Sequence, residues 1–302
     1  MKKTIAALLV LLLLLCAVFC AQAEDTRRVF RAGEKEPFPA GSETFSLRVC
    51  PLLGADCMIL RCGGMTMLVD MGKANDYPAI KAELEKLGVK KIDLAFNTHP
   101  HDDHLGSMIQ ILQDYPVDLF MTVFPLDYTG EDVIQVRTVR ALQAAEVPIL
   151  TARDGYRFPL GEAMLTVICQ TKYPNPNPMS AMLKIEYGDC SALLCADLIR
   201  SAQLYVAQTH DLKADLFKHP HHGLNSLYHE FLENIDPEYC FFTHSYYNTA
   251  EARKQLDQYG IPYDFATWGP IMIETDGQYW LVNQELNEQG LRMYQKIKGI
   301  TP

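Results

Sequence analysis

Several common catalytic signatures are missing from this 302-residue sequence. No G-x-S-x-G stretch offers a nucleophile elbow, so Ser180 and Ser245 have no context for a serine triad. No Walker-type or G-x-G-x-x-G loop is present to cradle phosphates or a dinucleotide. No C-x-x-C pair occurs, which removes the usual spacing of zinc ribbons and dithiol redox motifs. Positive charge is scarce: 27 Lys+Arg stand against 37 Asp+Glu, a formal charge of −10. Such a balance argues against a generic nucleic-acid binder. Nine cysteines are too dilute for a small stapled scaffold. With 48% hydrophobic and 21% charged residues, the chain has an ordinary globular composition, which argues against a disordered or fibrous protein.

The N-terminus changes these counts. Lys2 and Lys3 precede an apolar run from Ile5 to Phe19, and Ala21-Gln22-Ala23 follows. This is the pattern of a secretory signal peptide over residues 1–23, with cleavage expected after Ala23. The run is at the short end for a membrane-spanning helix, so no stable span is expected after cleavage. Cys16 and Cys20 lack the small preceding residues of a lipid-attachment site, which disfavours a lipoprotein. Cleavage removes two lysines and takes the formal charge to −12. Seven cysteines remain: Cys50, Cys57, Cys62, Cys169, Cys190, Cys195 and Cys240. Most sit in apolar runs and read as buried free thiols. One bridge among Cys50, Cys57 and Cys62 is the exception considered.

Residues 24–44 are polar and read as a loose leader. Beyond them, strand and helix patterns interleave. Strands are expected over 45–53, 58–62, 65–69, 92–97, 119–124 and 164–169, and on either side of a turn at 188–191. Further strands are expected at 214–218 and 239–243, with a late hairpin at 275–277. Helices are expected over 77–87, 105–112, 131–145, 201–208, 227–234 and 250–259. Tyr173 to Pro178 reads as a loop. The alternation predicts an α/β fold, and no linker or repeat separates a second domain from residues 45–302.

The chemistry concentrates in Asn97-Thr98-His99-Pro100-His101-Asp102-Asp103-His104, directly after an apolar strand. Imidazole nitrogen and carboxylate oxygen are the donors expected for zinc-like cations. In extended chain His99 and His101 point the same way, and Asp103 and His104 follow where the chain turns. Two ions a few ångströms apart can activate water and clamp a leaving oxygen. The bland alternative, a histidine-rich surface loop, does not explain four ligand-type residues at this spacing after a buried strand.

His99, His101, Asp103 and His104 match H-x-H-x-D-H position for position. In this the sequence resembles the metallo-β-lactamase superfamily. The resemblance implies a four-layered αββα sandwich with two divalent metal ions, zinc in the first place and manganese as the alternative, at the edge of two sheets. Leu68-Val69-Asp70-Met71-Gly72 is similar to the family's earlier strand, whose Asp70 would orient a ligand by hydrogen bonding. Leu193-Leu194-Cys195-Ala196-Asp197 is similar to the strand whose Asp197 would bridge the metals. Ala214 to Gly223, with His221-His222-Gly223, resembles the His-His-Gly run of hydrolase domains like the C-terminal domain of the competence protein ComEC. Secreted phosphorylcholine esterases share that feature. Asn177, Ser180 and Leu183 fit the same subgroup.

The resemblance thus implies His99, His101, Asp103, His104, Asp197, His221 and His222 as the metal set. It leaves open which of His221 and His222 is the ligand. Asp103, His222 and Asp70 are the catalytic candidates; His219, His244 and Asn177 are candidates for substrate contact. Many family members have another histidine between the main motif and the bridging aspartate, but none lies between His104 and Asp197 here. This leaves the first metal with an incomplete set, as the ComEC-like subgroup also implies. Together these readings predict an exported hydrolase that uses a metal-activated hydroxide on a phosphodiester. The −12 charge ranks a small or cell-wall-linked ester ahead of nucleic acid. The rival readings are a β-lactamase or lactonase acting on a carbonyl, and a metal-binding protein without turnover.

Overall fold

A computed structural model describes residues 26–299 apart from Glu131. The expected signal segment, residues 1–23, lies outside the described residues. The chain begins with β1 (Val29–Arg31), β2 (Phe45–Val49), β3 (Met58–Cys62), β4 (Met65–Val69) and α1 (Tyr77–Lys86). It continues with β5 (Leu94–Asn97), α2 (Asp102–Leu105), α3 (Met108–Asp114), β6 (Phe120–Thr122), α4 (Gln135–Ala144) and β7 (Ile149–Thr151). Next come β8 (Arg157–Leu160), β9 (Ala163–Ile168), α5 (Pro176–Met179), β10 (Met182–Tyr187) and β11 (Cys190–Leu194). Then follow α6 (Arg200–Thr209), β12 (Leu216–Lys218), α7 (His229–Ile235), β13 (Tyr239–Phe242) and α8 (Ala250–Tyr259). The chain closes with β14 (Tyr263–Phe265), β15 (Ile271–Thr275), β16 (Trp280–Gln284) and α9 (Glu288–Lys298).

These strands form two sheets. One runs β1-β16-β15-β2-β3-β4-β5-β6-β7, the other β14-β13-β12-β11-β10-β9-β8. The two-residue period of a strand explains how they pack. Met67 and Val69 of β4 join an apolar cluster shared with the second sheet, whereas Leu68 joins a cluster with α1, α3 and α4. In β11, Ala192 and Leu194 face the first sheet, and Leu193 faces α6, α7 and α8. Each sheet therefore buries both faces, and the order of layers is helix, sheet, sheet, helix. This is the αββα arrangement expected from the sequence.

The arrangement places one group of strand ends together. Strands β4 to β7 are mutually parallel, as are β11 to β14. Ligands of α/β sheets gather beyond the carboxyl ends of parallel strands. Asp70 follows β4, His99 follows β5, Asp197 follows β11, His219 to Gly223 follow β12, and Thr243 follows β13.

Several expectations need correction. The leader is not loose throughout: β1 pairs in parallel with β16, and the Glu238 carboxylate accepts the N–H groups of Arg28 and Val29. The helix expected at 105–112 is broken into α2 and α3 around Gly106. A Cβ on Gly106 would stand 2.4 Å from the Asp102 carbonyl oxygen and 2.5 Å from the Ala74 nitrogen. Only glycine permits that approach. The helix expected at 131–145 starts later, at Gln135. The loop at 173–178 contains the single turn α5, started by Pro176 at a first helical position. Strands β7 and β14, three residues each, are too short to show a period in sequence. Among the described residues no helix is long and apolar enough to cross a membrane.

Leu47 is fully buried between the sheets, whereas Leu53 is 58% exposed. Leu47→Ala is expected to lower the unfolding free energy by about 2–5 kcal/mol in urea titrations, and Leu53→Ala by less than about 0.5 kcal/mol. Equal effects would contradict this layering.

Candidate metal centre

Imidazoles from the two sheets meet around one carboxylate. Asp197 is buried just beyond β11. Its Oδ1 lies 3.3 Å from His104 Nε2. Its Oδ2 lies 3.4 Å from His222 Nε2, 3.8 Å from His221 Nε2 and 3.9 Å from His99 Nε2. His101 Nδ1 is 3.2 Å from His99 Nε2. Asp103 places Oδ2 3.3 Å from His222 Nε2 and Oδ1 3.8 Å from His104 Nε2. Thus the seven expected donors converge around Asp197, whose Oδ1 faces His104 and whose Oδ2 faces His222, His221 and His99.

Hydrogen bonds on the far side of the rings fix which nitrogen faces inward. His104 Nδ1–H donates to Asp70 Oδ2 at 2.7 Å. The Thr98 hydroxyl also donates to Asp70 Oδ2, at 2.8 Å, and lies 3.1 Å from His99 Nδ1. Asp70 Oδ1 accepts the Thr98 N–H at 2.8 Å. One carboxylate thereby orients His104 directly and His99 through Thr98. His222 Nδ1 lies 3.1 Å from Asp56 Oδ1 and 3.0 Å from Thr243 Oγ1. Carboxylates in such positions set the tautomer and raise the basicity of the inward nitrogen.

Asp56 and Lys218 are the residues that sequence reasoning missed. Asp56 lies in the β2–β3 loop, in Gly54-Ala55-Asp56-Cys57, where nothing resembles a ligand motif. Lys218 ends β12 with its side chain completely buried. Its ammonium pairs with Asp56, donates to the Ala196 carbonyl at 2.8 Å and lies 3.6 Å from Asp197 Oδ1. A lysine closing an otherwise apolar strand was the available signal. Asp56, His104, Asp197 and His222 each offer an atom within 4.8 Å of the others, a group that could hold a metal ion. Since Lys218 and His222 Nδ1 already engage both Asp56 oxygens, Asp56 fits the role of orienting His222. Asp103, whose oxygens face the inward nitrogens of His222 and His104, would fit the role of ligand better.

The charge distribution suits a cation. Burial opposes ionisation of Asp197, but His222 and His104 outweigh it and hold the carboxyl well below its ordinary range. Burial likewise opposes ionisation of Asp56, and Lys218 and His222 overcome it. Asp103 falls to about 2: His104 and the hydrogen bond from His222 prevail over burial. For His222, burial disfavours the imidazolium, yet Asp197 and Asp56 raise its pKa to about 10. His104 rises well above its usual value, with Asp197, Asp70 and Asp103 overcoming burial. His99 moves the other way, driven down by burial and then by His104. His104 Nε2 and Asp197 Oδ1 are buried without a hydrogen-bond partner. Two buried lone-pair donors, 3.3 Å apart and facing each other, are what a divalent cation would satisfy.

Backbone geometry is also unusual here. Asp70, Ala196, His221 and His222 all have φ between 46° and 57°. A non-glycine residue held in this left-handed region costs about 1–3 kcal/mol, and such strain clusters at functional sites. Gly223 ends the His-His-Gly turn at φ 95°, and a Cβ there would stand 2.2 Å from Phe242 Cδ1.

The candidates for substrate contact separate. His219 does not reach the centre: it is fully buried and packs against the Phe217 and Phe242 rings on the helix side of its sheet. Its Nδ1–H donates to the Pro220 carbonyl, and burial lowers its pKa to about 3. Strand alternation explains this correction, because Lys218 takes the inner face and its neighbour must face out. Asn177 Nδ2 lies 3.5 Å from His221 Nε2. His244 is half-buried at the rim, with its ring beside Gly54. Asp102 is exposed.

Two outcomes follow from this geometry. Asp56→Ala is expected to weaken zinc affinity by about 10–100-fold in a chelator competition, and unchanged affinity would remove Asp56 from the centre. His222, with its pKa raised to about 10, carries a proton at pH 7 that metal ligation at Nε2 must displace, and Asp197, Asp70 and Asp103 also push His104 upward. Zinc binding should therefore release at least about one proton per chain and weaken as the pH falls from 8 to 6. Calorimetry in buffers of different ionisation enthalpy reads this number, and no release would contradict the protonation assigned here.

Comparison with known proteins bears on the family and the fold. Residues 50–244 match the family model for the metallo-beta-lactamase superfamily. The chain is 28% identical over 159 residues to ComE operon protein 3 of Bacillus subtilis (strain 168). That match covers 50% of this chain and only 20% of the relative's length. Among solved structures, the metallo-beta-lactamase fold protein YhfI of Bacillus subtilis aligns over 77% of this chain and 100% of its own, with 12% identity and a TM-score of 0.51. CmlA, a diiron beta-hydroxylase from Streptomyces venezuelae, aligns over 76% of this chain and 53% of its own at 14% identity and a TM-score of 0.47. With a family match over more than half its length and a buried histidine–aspartate cluster that could bind metal, the chain belongs to the metallo-beta-lactamase superfamily of metallo-hydrolases.

Proposed function

We propose that this protein is an exported hydrolase of phosphodiesters that works with two divalent ions. The observation that carries the reading is Asp197, whose Oδ1 faces His104 Nε2 and whose Oδ2 faces the Nε2 atoms of His222, His221 and His99. A donor set shared in this way is suited to two ions. His99, His101, Asp197 and His221 would hold the first; Asp103, His104, Asp197 and His222 would hold the second. His221 thereby supplies the histidine that is missing between His104 and Asp197. Bound divalent ions supply Lewis acidity, which lowers the pKa of water and offsets charge developing on substrate oxygens.

The protein's own groups would do the remaining work. Asp103 stays ionised at neutral pH and is only partly buried, so its carboxylate can accept a hydrogen bond from water entering from solvent and orient it. Asn177, beside His221, and His244, beside Gly54, can donate or accept hydrogen bonds to non-reacting parts of a substrate. Asp70, Asp56 and Lys218 keep the rings oriented. Preference for phosphorus over a carbonyl carbon rests on the His-His-Gly resemblance. Preference for a small or cell-wall-linked ester over nucleic acid rests on the formal charge of −12. Export rests on the N-terminal pattern of residues 1–23.

Bis-p-nitrophenyl phosphate and a chromogenic β-lactam distinguish the readings. The zinc- or manganese-loaded protein is expected to hydrolyse the phosphodiester faster. Asp103→Ala should lower kcat/KM by at least about 100-fold. Faster turnover of the β-lactam would favour a carbonyl hydrolase. Tight metal binding with no turnover of either substrate would favour a binding protein, and an Asp103→Ala variant as active as wild type would remove this mechanism.

A further inference from the structure

The loop that delivers Asp56 is bounded by two cysteines that face each other. Strands β2 and β3 are antiparallel, with Val49 opposite Met58. One residue further out, Cys50 is opposite Cys57, and the Cys50 N–H donates to the Cys57 carbonyl at 3.0 Å. Opposed residues of an antiparallel pair hold their Cα atoms about 4.5–5.5 Å apart. Disulfides span about 4.4–6.8 Å between Cα atoms, so the backbone already has the required spacing. The two side chains also point the same way: each is 1% exposed, and both belong to the apolar cluster beneath α1. Cys62, the third cysteine of this region, belongs instead to the cluster between the sheets, on the opposite face of β3. It cannot compete for either partner.

We propose that Cys50 and Cys57 are a disulfide site, and that the bond staples the loop of residues 51–56 that positions Asp56 against His222 and Lys218. This loop already makes three backbone bonds at the centre. Gly54 N–H donates to the Thr243 carbonyl, Asp56 N–H to the Asp103 carbonyl, and Gly72 N–H to the Asp56 carbonyl. A covalent closure at its base restrains the two stems from which those bonds are made. The bond forms while the hairpin is still open to solvent. After folding the thiols are buried, and contact with Cys50 together with burial raises the Cys57 pKa well above its usual value, which leaves little reactive thiolate. The oxidant is a small-molecule disulfide such as oxidised glutathione. One thiolate attacks it and releases one glutathione thiol, and the second then attacks the mixed disulfide and releases the other. One S–S bond is broken, one is made, and the two cysteines lose two electrons and two protons.

The test is direct because one tryptic peptide, residues 49–61, contains both cysteines and no internal cleavage site. The full chain is refolded in a glutathione redox buffer, treated with iodoacetamide, digested and weighed. The expected peptide carries no alkyl group and is lighter than the reduced form by two hydrogens. Reduction before alkylation should add two groups. The oxidised wild type should melt about 5–10 °C above the reduced wild type. The Cys50→Ala/Cys57→Ala variant should lose this dependence on reductant, and hydrogen exchange over residues 51–56 should be slower in the oxidised wild type. A peptide alkylated at both positions after oxidative refolding, or linked to another cysteine, would overturn the assignment. Equal melting temperatures for oxidised and reduced wild type would overturn the staple.

Discussion

A single desolvated carboxylate ties the two halves of this molecule together. Asp197 follows a strand of the seven-stranded sheet, yet it faces His99 and His104, which follow a strand of the nine-stranded sheet. A buried carboxylate is tolerated only when surrounded by compensating charge and hydrogen-bond donors. Asp197 has four imidazoles and the Lys218 ammonium within 4 Å. The packing between sheets must therefore hold two strand ends in register to well under an ångström. Fully buried residues such as Leu183, Leu194, Leu216 and Phe241 supply that rigidity.

Around this carboxylate the polar groups form a hierarchy. The inward ring nitrogens meet Asp197 and Asp103, and the outward ring nitrogens meet Asp70 and Asp56. Asp70 is in turn held by Thr98 and Asn97, and Asp56 by Lys218. Removing one partner of a buried pair leaves an uncompensated charge, at a cost of about 3–5 kcal/mol. Lys218 is thus as much a part of the centre as the imidazoles, although it has no lone pair to offer an ion. The left-handed backbone at Asp70, Ala196, His221 and His222 belongs to the same arrangement, because each turn aims a side chain that a relaxed strand end would misdirect.

The cysteine pair places a covalent constraint at the least regular part of this hierarchy. Asp56 comes from a loop between strands, whereas Asp70 follows its strand directly. A loop position needs additional restraint to hold a carboxylate against His222 with the same precision. The three backbone hydrogen bonds of the 51–56 loop supply part of it, and a bond between Cys50 and Cys57 would supply the rest.

Much of this molecule was legible in the residues alone. The interleaved strand and helix periods, the H-x-H-x-D-H run, Asp70, Asp197 and the two adjacent histidines depend on local order, and local order is what a sequence displays. The β1 strand in the polar leader was hidden, because pairing with β16 stabilises a segment too short and polar to show a period. His219 was a candidate for substrate contact, but strand alternation sends it among phenylalanines. Asp56 and Lys218 were out of reach for a stronger reason. They are 162 positions apart; Asp56 carries no motif, and Lys218 lies in the His-His-Gly run without being a ligand type. Their meaning comes from burial, which makes an isolated charge intolerable and a pair indispensable. The sequence by itself determined the layered α/β fold and the inventory of candidate metal donors. Only the tertiary structure decided which nitrogen of each ring faces inward and which buried charges hold it there, because both depend on contacts between strand ends far apart in the chain.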